Sequence, residues 1–351
     1  MSDLSTLANQ AAGWLKSGGE HADVVVSSRV RLARNVSGHP FRRELDSIAQ
    51  EELVAELLAT VDQATDWHDG LSLELGELSS VERKVLLERR LISREMVSAK
   101  HPGGLVVDSD EGRAVMINEE DHARIQALAP GLAVDACLDQ AVALDRSLEH
   151  HLPWAISTEY GYLTSCPTNT GTGMRASVMM HLPALAETKE ISAALRGIAK
   201  LHLTVRGLFG EGSQASGHYY QVSNQRTLGM TEHDIATTIG ETVSNLVSYE
   251  QMARESMLNH RRSQLEDRVF RAWGLLTAAR RLSGDELVDQ LSWVRLGRAV
   301  GIVDCTWETL DRIFLQCQAA HLELQHPEAR DAETRDEIRA GLVRTWLRQA
   351  A

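Results

Sequence analysis

Apolar and polar positions along the chain follow two periods, and the change from one to the other divides it. DVVVSSRVRLARN (23–35) is rich in β-branched residues and predicts a strand. Strand side chains alternate faces, so Arg29 and Arg31 project from the same side. LVVDSDEGRAVMIN (105–118) predicts a hairpin with Asp, Ser and Gly at its turn. LHLTVRG (201–207) and YYQVSNQ (219–225) predict two further strands around a Gly-rich loop, RGLFGEGSQASG (206–217). GYLTSCPTNTGTGMRAS (161–177) opens as a strand, then runs through a Thr/Gly-rich turn that ends on Arg175. Apolar spacing of three and four predicts helices over 46–64 and 79–98, with others near 132–151 and 184–200. From about residue 231 the pattern is helical to the end, divided by turn signals at SGDE (283–286) and HPEARD (326–331).

The expected organisation is a weakly ordered lead-in (1–20), a mixed α/β domain (21–254) and a smaller all-helical domain (255–351). No internal repeat or low-complexity tract interrupts it. No apolar run approaches membrane-spanning length, and MSDLSTLANQ lacks the basic-then-apolar pattern of a secretion signal. Cys137, Cys166, Cys305 and Cys317 show no CxxC spacing, which indicates neither zinc nor a disulfide framework and suits a reducing cytoplasm. A net charge of -13 argues against nucleic acid as partner, so any anionic ligand must be held by locally concentrated arginines.

The loop at 161–177 resembles a phosphate cradle in composition but lacks the Gly-Lys-Ser/Thr ending of a P-loop. Arg29, Arg31, Arg124, Arg175 and Arg206 lie at strand ends or in loops. Taken singly, each reads as a solvated surface charge. As a convergent set, their guanidinium forks would neutralise a triphosphate without a P-loop lysine. NEEDHARIQ (118–126) is either a solvated acidic turn or a strand-end site built on Glu120. Glu211 is an isolated acid on a Gly-rich loop suited to act as a lid. Two carboxylates from different segments are what a guanidinium acceptor requires, to hold its charge and remove a proton. Cys166 is either a core cysteine or, before Pro167 in a polar turn, a partly ionised thiol with an electrostatic role. RDEIRA (335–340) reads by itself as a solvated amphipathic helix.

Together these segments resemble the ATP:guanidino phosphotransferase family, which includes creatine and arginine kinases. SSRVR, NEEDH.R, CPTN.GTG.RAS and RG..GEGS stand in that family's order and approximate spacing from about Asp23 to Arg254. SSRVRLARN, SNQRTLG, LEDRV and RDEIRA are similar to the bacterial branch that phosphorylates arginine side chains of proteins, which extends the resemblance over nearly the whole chain. The implied fold is α+β: a twisted antiparallel sheet flanked by helices, like the glutamine synthetase catalytic domain, followed by an all-helical C-terminal domain. The implied nucleotide contacts are Ser27, Ser28, Arg29, Val30 and Arg31, Arg124, Arg175, Ala176, Ser177, Val178 and Met179, and Arg206, Gly207, Leu208, Phe209, Gly210 and Glu211. Glu120 is implied as acceptor-binding carboxylate and base, Glu211 as its partner, and Cys166 as lining the guanidinium pocket. Arg335, Asp336, Arg339 and Ala340 are implied as an allosteric phosphoarginine site. Arg90 stands where relatives often place a nucleotide-contacting His, a cation that would meet phosphate without titrating.

The expected reaction is transfer of the γ-phosphoryl of MgATP to protein arginine, with ATP and Mg²⁺ as cofactors and no protein metal ligand named. Proteins with exposed arginine are the expected substrates. A zinc-finger activator, a Clp unfoldase–protease reading the mark, a role in stress response and a homodimer are implied by the resemblance alone. Kinases of free creatine or arginine carry a helical domain ahead of the first arginine strand, which here starts near residue 23. A more open acceptor pocket is therefore expected. The alternatives are a free-guanidino kinase, a non-catalytic phosphoarginine reader and, more distantly, a ligase of glutamine synthetase type.

Overall fold

The computed structural model describes residues 2–16, 18–65, 67, 69–207 and 216–350. Among them, one antiparallel sheet of eight strands organises the first two thirds of the chain. Its members are β1 (Val25–Arg34), β2 (Leu71–Glu74), β3 (Gly104–Val107), β4 (Arg113–Ile117) and β5 (Ala123–Pro130). After a separate small hairpin, β6 (Ile156–Ser157) and β7 (Gly161–Tyr162), come β8 (Met174–His181), β9 (Leu203–Gly207) and β10 (Tyr219–Asn224). The order across the sheet is β2-β3-β4-β5-β1-β8-β10-β9, which puts β1 near the middle, between β5 and β8.

The helices are α1 (Ser2–Asn9), α2 (Ser47–Ala64), α3 (Ser80–Glu88), α4 (Arg94–Ser98), α5 (Val134–Glu149), α6 (Pro183–Glu187) and α7 (Ile191–Ala199). A helical region follows: α8 (Glu232–His260), α9 (Arg262–Ala278), α10 (Gly284–Ala299), α11 (Trp307–Gln316), α12 (Ala319–Gln325) and α13 (Ala332–Ala350). Side-chain caps set several starts, as where Asp46 accepts from the Ala49 N–H and Ser79 forms a capping box with Glu82. α2, α5 and α8 cover one face of the sheet, where Val30, Leu32, Ile125, Ala176, Val178 and Val222 are buried. Alternation leaves the polar residues of the same strands on the other face.

Some helices and strands differ from the sequence reading. The expected helix over 79–98 breaks between α3 and α4, where Arg90 adopts a φ of 65°; the one over 184–200 breaks at Lys189, with φ 64°. β5 and β8 were not foreseen as strands, because arginine, glutamine and serine on the cleft side obscure their apolar alternation. Within the expected lead-in, described residues pack against the domain that follows. Leu4 and Leu7 are buried with Leu86 and Leu91, and fully buried Trp14 donates its Nε1–H to the Arg89 carbonyl at 3.0 Å. Residue 254, the expected domain boundary, lies inside α8, where Arg254 pairs with Asp23 at 2.8 Å and Glu250 at 2.9 Å.

Candidate active site

The strand register gathers the sequence's separated arginines onto one face. Arg31 stands opposite Gln126 on β5 and Arg175 on β8, and Arg29 opposite Ser177. Ser223 of β10 pairs with Ser177, and Gln221 pairs with Arg206 of β9. Directly opposed residues in an antiparallel pair share a face. Arg29, Arg31, Arg124, Arg175 and Arg206 therefore project from one face of the sheet. Arg90 joins them from the turn after α3, its guanidinium 4.7 Å from the centre of the Trp14 ring.

This concentration of cations is electrostatically costly. Burial holds the Arg29 guanidinium well below its ordinary pKa, and Arg31, Arg90, Arg124 and Arg175 add to the effect. Arg31 is pushed down to about 9 by burial, then by Arg124 and Arg175, with Glu119 and Glu95 opposing. Burial brings Arg90 down to about 10. The Nε atoms of Arg29 and Arg31 are buried without a hydrogen-bond partner. Buried donors and like charges in this state call for an anion that supplies acceptors and charge together.

Over this face lies a cleft of about 720 Å³, lined among others by Arg31, Arg124, Arg175, Arg206, Glu120 and Cys166. The turn between β4 and β5 brings two carboxylates with different roles. Glu119 is buried 2.8 Å from Arg124. Burial acts to raise its pKa, but Arg124, hydrogen bonds from Ser93 and the Glu120 N–H, and Arg31 outweigh burial and hold it below the ordinary carboxylate range. Glu120 is half-buried, 3.7 Å from Arg124. Its pKa is raised, chiefly by burial and also by Asp121 and Glu119, with Arg124 and Arg43 opposing.

The acidic turn is fixed to the cysteine loop. Asp121 Oδ1 accepts from Asn35 Nδ2–H and from the Ser165 N–H, each at 2.7 Å, and the His122 N–H donates to Asn35 Oδ1 at 3.0 Å. Cys166 is half-buried at the cleft wall, its Sγ 3.0 Å from Thr168 Oγ1. Gly173, at φ 64°, allows this loop to enter β8, since a Cβ there would meet the Ala33 carbonyl oxygen at 2.6 Å.

Alternation divides the side chains of the expected nucleotide set between the two faces of the sheet. Ser28, Val30, Ala176 and Val178 are buried on the helix-covered face, so their side chains do not enter the cleft. The Ser28 hydroxyl instead donates to the Gly131 carbonyl and accepts from the Ala133 N–H. Ser27, Ser177 and Met179 lie on the arginine face, and an Arg90 Nη2–H points to the Met179 sulfur. Gly207 ends β9, whereas Leu208, Phe209, Gly210 and Glu211 lie outside the described residues. Sequence reasoning missed Gln221 and Gln126, although the alternation of YYQVSNQ carried the signal for Gln221. It also missed Glu119 and the Ser93–Glu95 stretch, which borders the cleft.

Arg335, Asp336, Arg339 and Ala340 come together early in α13. Buried Arg339 donates to the Cys317 carbonyl at 2.9 Å, the Leu282 carbonyl at 2.7 Å and Asp336 at 2.6 Å. Half-buried Arg335 donates to the Arg330 carbonyl at 2.8 Å.

A sheet face of convergent arginines, bordered by a paired carboxylate turn and a cysteine loop, defines a phosphotransferase that handles a polyanion and a cation together. The model of the ATP:guanido phosphotransferase C-terminal catalytic domain matches residues 51–253, and that of the protein-arginine kinase McsB C-terminal domain matches 262–351. The chain belongs to the ATP:guanido phosphotransferase family. It is 45% identical to a protein-arginine kinase of Desulforamulus reducens over 86% of each chain. It is 41% identical to one of Shouchella clausii, over 97% of this chain and 96% of that one. Among solved structures it resembles the duplicated taurocyamine kinase of Schistosoma mansoni with bound transition-state-analogue components. That match has a TM-score of 0.59 at 28% identity, over 71% of this chain and 35% of that one. A lombricine kinase shares the fold, with a TM-score of 0.58 at 22% identity over 69% of this chain and 71% of that one. No helix among the described residues is long and apolar enough to cross a membrane.

Proposed function

We propose that the protein transfers the γ-phosphoryl group of MgATP to arginine side chains of proteins, giving N-phosphoarginine. The observation that carries this reading is the arginine face, with buried Nε atoms on Arg29 and Arg31 that lack partners. Arg29, Arg31, Arg124, Arg175 and Arg206 hold the triphosphate and spread the charge of the transferring group, which needs alignment more than covalent help. Mg²⁺ would arrive with the nucleotide, carried on its phosphate oxygens. Mg²⁺ bound there supplies further neutralisation of the phosphates.

Glu120 faces the same cleft and receives the acceptor guanidinium. It takes the proton as the guanidine nitrogen attacks, because a guanidinium of pKa above ~12 is a poor nucleophile without a base. Glu119 stays ionised against Arg124 and keeps that arginine in place. Cys166 lines the acceptor end. Glu211, outside the described residues, is the partner acid the resemblance implies.

Protein rather than free arginine is supported by the names of the relatives matching nearly the whole chain. The wider reading, by resemblance, includes a cytoplasmic stress-response dimer, a zinc-finger activator, phosphoarginine sensing at Arg335–Ala340 and delivery of marked proteins to a Clp protease. Incubation with labelled ATP and either an unfolded protein or free arginine tests the choice. Acid-labile label on the protein supports it; label on free arginine alone selects the free-guanidino kinase.

A further inference from the structure

The loop that carries Cys166 is held between two segments, and each presents exposed apolar side chains. On one flank stands the β6–β7 hairpin, where Ile156 pairs with Tyr162 and Ser157 with Gly161. The Tyr162 N–H donates to the Gly171 carbonyl at 2.8 Å, and the Gly171 N–H donates to the Tyr162 carbonyl at 3.3 Å. On the other flank, the Thr227 hydroxyl donates to the Thr168 and Thr170 carbonyls at 2.9 and 2.7 Å. Gly171 touches both flanks, since a Cβ there would lie 2.9 Å from the Leu228 Cα. Thr168, Asn169 and Thr227 line the arginine cleft beside Cys166, so these segments form its rim.

Ile156, Tyr160 and Leu228 are 53%, 48% and 55% exposed. One such side chain calls for no explanation, whereas three flanking a single loop of a cleft do. Their placement is set by hydrogen bonds. The Ser157 hydroxyl accepts from the Glu159 and Tyr160 N–H groups at 3.2 and 3.3 Å, which shapes the turn that presents Tyr160. The Ala155 N–H donates to the Asn35 carbonyl at 2.8 Å, and the Asn35 amide donates to Asp121 in the acidic turn. The hairpin and the carboxylate turn thus share one anchor.

We propose that Ile156, Tyr160 and Leu228 dock apolar residues that flank the acceptor arginine of an unfolded polypeptide. The proposal rests on the reading that Glu120 and Cys166 mark the acceptor end of the cleft, and it names what surrounds the acceptor. An arginine in the cleft is joined to a backbone that must cross the rim. An extended segment rises about 3.3 Å per residue, so neighbours a few positions from the arginine pass over the cysteine loop and its flanks. Glu159, exposed beside Tyr160, adds a charge that suits a segment bearing a cation. Apolar neighbours of an arginine are accessible in an unfolded chain and mostly buried in a folded one. The rim therefore selects unfolded protein, and free arginine gains nothing from it.

The test uses the full chain with MgATP and two single-arginine peptides of equal length. One carries leucine and phenylalanine on either side of the arginine, the other serine and glycine in their place. Acid-labile label on arginine gives kcat/KM for each. The wild type is expected to prefer the apolar peptide at least roughly tenfold, through KM. In the combined Ile156→Ser, Tyr160→Ser, Leu228→Ser variant that preference should fall to within about twofold. Turnover of the polar peptide should be unchanged, because exposed side chains carry little of the fold. Equal kcat/KM for the two peptides in the wild type overturns the proposal. So does a variant that keeps the preference, or one that loses the polar peptide in equal measure. A preference kept alongside a changed sedimenting mass overturns it too, and gives the rim to a second copy of the chain. Absence of label from both peptides in the wild type overturns the acceptor reading, and this inference with it.

Discussion

Arg31 of β1 and Arg175 of β8 stand directly opposite each other across an antiparallel pair, two cations where a sheet ordinarily places complementary partners. Arg29, Arg90 and Arg124 crowd the same ground, and burial pushes Arg31 down to about 9. Such a face is less stable alone than with an anion on it. Arg31→Met is expected to raise the unfolding free energy of the ligand-free chain by about 1 kcal/mol while ATP binding weakens at least roughly tenfold. Urea unfolding with and without ATP measures both, and a loss of stability without ligand contradicts the account.

Glu120→Gln is expected to lower kcat by about 10²–10⁴ while ATP still binds. Burial raises the Glu120 pKa, so its ionised form is disfavoured in the folded state, and that cost recedes as pH falls through the raised pKa. The glutamine variant should therefore be as stable as the wild type near neutrality, which separates lost chemistry from misfolding. The same shift moves the acid limb of the wild-type rate profile above the ordinary carboxylate range. A limb at the ordinary value, or full activity in the variant, removes Glu120 as base.

Cys166→Ser should slow turnover without abolishing it, since Cys166 lines the cleft and forms no bond to phosphorus in this scheme. Single-turnover rates at saturating ATP show this. Complete loss assigns sulfur an obligatory role.

Trp14→Ala is expected to destabilise the chain by about 3–5 kcal/mol, because the ring is fully buried and hydrogen-bonded to Arg89. Denaturant melts check the value. A change within about 0.5 kcal/mol would return residues 1–20 to the loose lead-in that their sequence suggests.

Much of this site was legible because strand alternation is a local property. Arg29 and Arg31 sit two apart in an evident strand, and SSRVR fixed their common face before any fold was known. Arg124 and Arg175 stand out by motif rather than as strand residues, because their polar neighbours hide the apolar alternation of β5 and β8. The same rule of alternation, applied to the matched motifs, puts the side chains of Ser28, Val30, Ala176 and Val178 on the helix-covered face. What no local pattern carried was proximity across the chain: Trp14 against Arg90, Phe314 beside Tyr219, and Arg339 tied to the Cys317 carbonyl. Those depend on how the helical region docks, which a run of amphipathic helices leaves open.

The most direct test of the central claim is phosphoarginine-directed mass spectrometry of an unfolded casein-like protein after incubation with the purified chain and MgATP, with Glu120→Gln in parallel. The account predicts phosphate on arginine side chains with the wild type and almost none with the variant. Phosphate confined to serine, threonine or tyrosine, or equal arginine labelling by both proteins, contradicts it.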